Sequence, residues 1–154
     1  MTIRKHKTSF SVLPVILAVT GCASWGQDDL ESARVAHNEA IRYATMMDDC
    51  GAPAIAKSQD AIMRLEAIVY RNEQTRWKEI AASSPVAKHD SVKTFEETYP
   101  LMFDAKFLLA DRLRAENCEN KARSIYQQIM ANYPEAVFSK YRERASLALS
   151  GAQN

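Results

Sequence analysis

Glycine and histidine are scarce in this 154-residue chain, with four of the first and three of the second. So few glycines leave no Gly-rich loop able to bring backbone N–H groups against a phosphate. His6, His37 and His89 stand far apart, and neither His-x₃-His nor Cys-x₂-Cys occurs, so no metal-ligand spacing is present. Charge of one sign is also lacking, with 20 Lys and Arg against 19 Asp and Glu. An interspersed, near-neutral surface offers no footprint for nucleic acid and no polybasic patch for lipid headgroups. The acid pairs Asp48-Asp49 and Glu96-Glu97 are adjacent in sequence, and adjacent helical positions point apart, so they are solvated helix ends rather than catalytic dyads. With no nucleophile beside a base, the chain is expected to be no enzyme, to need no cofactor or metal and to take no small-molecule substrate. Any binding should be to protein.

Long apolar runs are missing too. The run Phe10–Val19 is about ten residues, half of the roughly 20 that a membrane span needs. It follows Arg4, Lys5 and Lys7 with no acid among them, the order of a cleavable export signal. An uncleaved anchor would need a longer core without Pro14. Setting the leader's three cations aside turns the formal charge of +1 slightly acidic.

The run closes on Val19-Thr20-Gly21-Cys22. These four residues resemble the bacterial lipobox, an aliphatic residue and two small ones before a cysteine. The resemblance implies cleavage after Gly21, a diacylglycerol thioether on Cys22, and a further palmitate-type chain on the new N-terminus. Several acyl chains, each CH₂ burying about 0.8 kcal/mol, would make a permanent anchor. Ala23, rather than Asp, resembles the enteric pattern for the outer membrane, with the domain on its periplasmic face. Residues 1–21 are thus the expected signal peptide, and 22–28 a lipidated tether with Trp25 at the interface or packed on the first helix. Assigning Cys22 to lipid leaves Cys50 and Cys118, which an oxidising compartment would join. Such a bridge stabilises by about 4 kcal/mol in the chain-entropy model; two separate buried thiols are the alternative.

Residues 29–150 read as helices throughout, with 151–154 as a tail. A first helix to about Asp49 carries Leu30, Ala33, Ala40, Ile41, Ala44 and Met47 on one stripe. His37 shares it, and with no second ligand one turn away it is expected to be a hydrogen-bonded, half-buried side chain. Gly51 and Pro53 punctuate as helix end and helix start. A second helix of about 53–82 forms a hairpin with the first, with Arg71–Gln74 as a place where it can break. The stretch 83–90 reads as a loop, 91–98 as a short helix ended by Tyr99-Pro100, and 101–116 as a long helix. Asn117 and Cys118 turn the chain into a helix of 119–131, Asn132 is a left-handed stop, and Pro134 opens the last helix.

Tyr99-Pro100 and Tyr133-Pro134 are 34 residues apart. With Leu109 and Ala110 at the large and small positions of the first helix, Ala122 and Tyr126 at the small and aromatic positions of the second, and Pro134 at the terminal proline, this segment resembles one tetratricopeptide repeat, although Lys106 and Leu113 replace the usual aromatics. An ordinary helical bundle that shares these packing rules is the alternative. The stretch 122–149 also resembles the repeats of envelope-assembly lipoproteins. That resemblance implies an all-α fold of antiparallel hairpins stacked in the tetratricopeptide manner. It further implies an adaptor for a β-barrel or secretin subunit of the envelope, with Lys106, Arg112, Tyr126, Tyr141 and Arg142 as candidate partner contacts. A pilotin-type secretin chaperone and a purely structural spacer are the alternative functions.

Overall fold

A computed structural model describes residues 25–81 and 85–151, and the side chains of 28–76 and 92–151. The lipobox and Cys22 lie outside the described residues. Every regular element among those described is helical: α1 (Trp25–Thr45), α2 (Pro53–Ala81), α3 (Pro85–Ala115), α4 (Glu119–Asn132) and α5 (Ser139–Gly151). A 3₁₀ turn, Ala136–Phe138, precedes α5.

Local chemistry explains the ends. Thr45 folds its hydroxyl back onto the Arg42 carbonyl at 2.8 Å, and the Asp49 carboxylate accepts the Gly51 N–H at 2.5 Å. That second contact is an Asx turn, which takes Asp49 out of α1 and lets Pro53 begin α2 where its missing N–H costs nothing. α2 then runs unbroken through 71–74. At the other long turn Asn117 adopts φ 60°, and the Cys118 N–H reaches the Leu113 carbonyl at 2.7 Å. This is a left-handed helix stop of the Schellman type. Asn132, expected to play that part, instead ends α4 in helical conformation and hands over to Tyr133 at φ −129°.

Three further boundaries differ from expectation. α1 begins at Trp25, so most of the supposed tether is helix. Pro134 does not open the last helix; α5 starts at Ser139, after the 3₁₀ turn. Residues 85–90 are helical, and α3 continues through Tyr99-Pro100 without a break. A proline inside a helix forfeits one backbone bond and costs about 3 kcal/mol in isolation. Burial offsets that cost here, since Phe95, Thr98, Met102 and Phe103 around it are all fully buried. Apolar packing on both sides of Pro100 holds the chain helical where local propensity would end it.

Contacts fix the directions. α1 and α2 run antiparallel, pairing Ser58 with Ala40, Arg64 with Glu39 and Arg71 with Asp29. α2 and α3 are antiparallel as well, through Glu66 to Lys106 and Arg76 over the Phe95 ring. α1 and α3 are therefore parallel, and their contacts keep a steady separation: 67 residues for His37–Asp104, 65 for Arg112 to the Met47 carbonyl and 68 for Cys50–Cys118. α4 folds back along α3, with Tyr126 on Asp111 and against Phe107. α5 again runs parallel to α3, at separations of 33 (Arg144–Asp111) and 34 (Arg114 to the Ala148 carbonyl).

Two kinds of core result. Against α2, α1 buries Ala33, Ala36, Ala40 and Ala44, and the buried Ser58 hydroxyl donates to the Ala40 carbonyl at 2.9 Å. Around the second half of α3 the core is aromatic, with Phe103 stacked on Tyr141 at 4.0 Å and set edge-on to Tyr133 at 4.9 Å. Phe138, from the 3₁₀ turn, sits among Phe95, Tyr99, Phe103 and Tyr133.

Candidate protein-interaction groove

The expected cysteine pair is joined. Cys50 and Cys118 form a disulfide with their Cα atoms 5.5 Å apart, tying the α1–α2 turn to the α3–α4 turn. Lys121 adds a hydrogen bond to the Cys50 carbonyl. Cys118 is buried while Cys50 is exposed.

The expected partner contacts fare differently. Lys106 is only 3% exposed, so it is no surface contact. Its ammonium lies 2.5 Å from Glu66 and over the Tyr133 ring, and the Tyr133 hydroxyl donates to the same Glu66 carboxylate at 2.9 Å. Burial, then that carboxylate, pushes the Tyr133 phenol well above its ordinary pKa. Tyr126 is also fully buried and donates to Asp111 at 2.6 Å; burial and that bond raise its pKa strongly. Both residues belong to the interior because α3 is wrapped on most sides, which a single-helix pattern does not reveal. Arg112 is half-buried at the α1–α3 seam, reaching the Met47 carbonyl and Glu116. Tyr141 is half-buried under its stack with Phe103, and Arg142 is half-buried with its Nε lacking a partner. The structure does not bring these five residues to one surface.

What it leaves open is a different line of residues. Between 101 and 115, α3 buries Met102, Phe103, Ala105, Lys106, Phe107, Leu109, Ala110 and Leu113. Leu101, Asp104, Leu108, Asp111 and Ala115 remain exposed or half-buried, at steps of three and four residues, hence on one stripe. α1 stands on one side of that stripe, where His37 Nε2 meets Asp104 at 2.8 Å. α5 stands on the other, where Arg144 meets Asp111 at 3.1 Å. The stripe is thus the floor of a groove between two parallel helices. Half-buried Leu30, Ile41, Leu101 and Leu108 give it an apolar component, and Leu147 of α5 is 66% exposed. His37 behaves as expected, hydrogen-bonded and half-buried. A helical wheel over 101–115 contains this signal, but the wheel alone does not say which of its faces the other helices cover.

A second cleft, of about 360 Å³, opens between α1 and α2 and is lined by Glu39, Tyr43, Ala56, Lys57, Asp60 and Arg64. Its charges are already paired: Arg64 with Glu39 and Asp60, and Lys57 over the Tyr43 ring. Among the described residues no group of His, Cys, Asp and Glu is placed to hold a metal ion, and no helix is long and apolar enough to cross a membrane. No family model, curated protein or solved structure matches the chain.

Proposed function

We propose that the protein is a non-enzymatic lipoprotein, held by acyl chains on Cys22 to the periplasmic face of the outer membrane, where it acts as a protein-interaction adaptor in envelope assembly or secretion. The groove floored by α3 carries this reading. It is a partly apolar, partly charged stripe flanked by two parallel helices, an arrangement that suits a partner's helix or extended segment. The address rests on the cysteines. A bridge between Cys50 and Cys118 suits an oxidising compartment. It leaves Cys22 as the remaining cysteine of the sequence. Cys22 stands three residues before Trp25, where α1 begins, so the anchor would lie close to the domain.

Separations of 33 and 34 residues between contacts of α3 and α5 support a tetratricopeptide-like stack, with α1, α3 and α5 as the successive inner helices. The wider α1–α3 separation follows from the long α2 and the extra turns of α3 before Pro100.

Crosslinking of cells that carry a C-terminally tagged chain, followed by detergent extraction and mass spectrometry, tests the adaptor. Recovery of a β-barrel subunit points to barrel assembly, and recovery of a secretin to the pilotin-type role. Nothing recovered above a Cys22→Ala control would leave a structural spacer and overturn the adaptor. Labelling with an alkyne fatty acid, expected on the natural chain and lost in Cys22→Ala, tests the anchor separately.

A further inference from the structure

The open stripe of α3 has a regular chemistry. Glu97, Asp104 and Asp111 follow one another at intervals of seven residues, and Leu101 and Leu108 alternate with them at the same interval. All five lie on the face that the other helices leave uncovered. The three carboxylates are 36%, 62% and 52% exposed, against an interior where Lys106 is 3% exposed. Seven residues of helix rise about 10.5 Å, so the acids span about 21 Å along α3, with Asp104 and Asp111 between α1 and α5 and Glu97 one step before them.

A strict interval of seven is not what a surface helix of period 3.6 needs for solubility. It is the interval that keeps one line of side chains facing a second helix over several turns. Leu101 and Leu108 are half-buried, packed on the core with one side left open. A floor meant only for an apolar helix would not place an acid in each repeat.

Each carboxylate has one neighbouring basic side chain and stays partly open to solvent. Glu97 lies 3.8 Å from Lys93 on its own helix, Asp104 accepts from His37, and Asp111 accepts from Arg144 and the Tyr126 hydroxyl. The walls are basic where the floor is acidic. Lys140 lies one turn from Arg144 on α5, and Arg34 lies one turn from His37 on α1.

We infer that the groove takes an amphipathic helix of a partner protein that carries a Lys or Arg every seventh residue with aliphatic side chains between, and acids along its two edges. This rests on the adaptor reading and names the occupant of the same groove. The partner's cations meet the floor acids, its aliphatic side chains meet Leu101 and Leu108, and its edge acids meet Arg34 and Lys140. Like-charge contacts exclude the reversed pattern, so charge sets both register and choice of partner.

Fluorescence anisotropy with the full-length chain in detergent tests this. The probe is a labelled helical peptide of about three heptads, with Lys at every seventh position, leucine between and Glu at the edges. The control has every Lys and Glu exchanged. Preferential binding of the first, weakening with salt, is expected. Glu97→Gln, Asp104→Asn and Asp111→Asn together should weaken binding about tenfold, near the sum of three exposed pairs. Asn keeps an acceptor for the Tyr126 hydroxyl, and unchanged thermal unfolding would verify the fold. Equal binding of both peptides, no effect of the triple substitution, or no binding at all would overturn the inference. The adaptor would then survive only if crosslinking still recovered a partner, bound on another face.

Discussion

The α1–α2 side and the α3–α4–α5 side of the molecule solve the same packing problem with opposite residues. α1 lies on its neighbours through Ala33, Ala36, Ala40 and Ala44, with no ring among the buried side chains described for α1 and α2. Alanine buries little area per residue, so helices packed this way gain by close approach and by the direct Ser58-to-Ala40 hydrogen bond. The other side fills wider gaps with Phe95, Phe103, Phe107, Tyr126 and Phe138. Each fully buried ring contributes up to about 3 kcal/mol by area alone. A disulfide is placed where the small-residue side ends, at the turn after α1, and links it to the aromatic side. The difference teaches that α1 packs by close approach, leaving the bulk to Ile55, Ile62, Leu65 and Val69 of α2, whereas the other side packs by ring area.

Removing a ring should break the comparison most severely. Phe103→Ala deletes contacts to Tyr133, Phe138 and Tyr141 at once and should cost about 3–5 kcal/mol in denaturant unfolding. Hydrogen exchange should rise first in α4 and α5. Equal loss of protection in α1 would mean that the two sides form a single cooperative unit.

The disulfide comes next. Cys50→Ser with Cys118→Ser should cost up to about 4 kcal/mol and loosen chiefly the α1–α2 turn, read by the same exchange experiment. A cost near zero would show that the alanine seam holds without its covalent link.

Lys106 joins the two sides through Glu66 of α2 and the ring of Tyr133 beyond α4. Lys106→Met leaves Glu66, itself about a third exposed, with only the Tyr133 hydroxyl; about 2 kcal/mol of stability should be lost, read as a lower urea midpoint. Lys106→Met combined with Glu66→Gln should recover part of that loss. A partner-binding role alone would leave the midpoint unmoved.

The smallest effect is confined to alkaline pH. Folding keeps the Tyr126 phenol protonated above its ordinary range, by burial first and by Asp111 second. The unfolded chain releases that proton near pH 10. Stability is therefore complete below about pH 10 and falls above it, by about 1.4 kcal/mol per pH unit for each such group. Tyr126→Phe should flatten the fall between pH 10 and 11 relative to the natural chain, with Tyr133 still contributing. An unchanged slope would mean that the Tyr126 site opens before unfolding.

Much of this was legible in the residues alone. Alternation at three and four marks the helices, Gly51 with Pro53 marks one turn, and Asn117 with Cys118 marks another, because each is a property of a few neighbouring residues. The bond between Cys50 and Cys118 followed from counting cysteines, and both turns lie at one end once the helices alternate in direction. Pro100 was misleading for the opposite reason. Its local effect is to stop a helix, and only neighbours distant in sequence, such as Phe138 and Tyr141 around Tyr99, keep α3 going.

The sequence by itself determined that the described chain is helical, where most of its turns fall and which apolar residues seek burial, since these depend on backbone geometry and spacing within a few turns. Only the tertiary structure decided which polar residues are interior. Lys106 is buried because Glu66 waits 40 residues earlier in the chain, and Asp104 and Asp111 are open because α1 and α5 stop short of covering them. A charge enters a core or lines a groove according to what stands opposite it, and what stands opposite is settled by the fold.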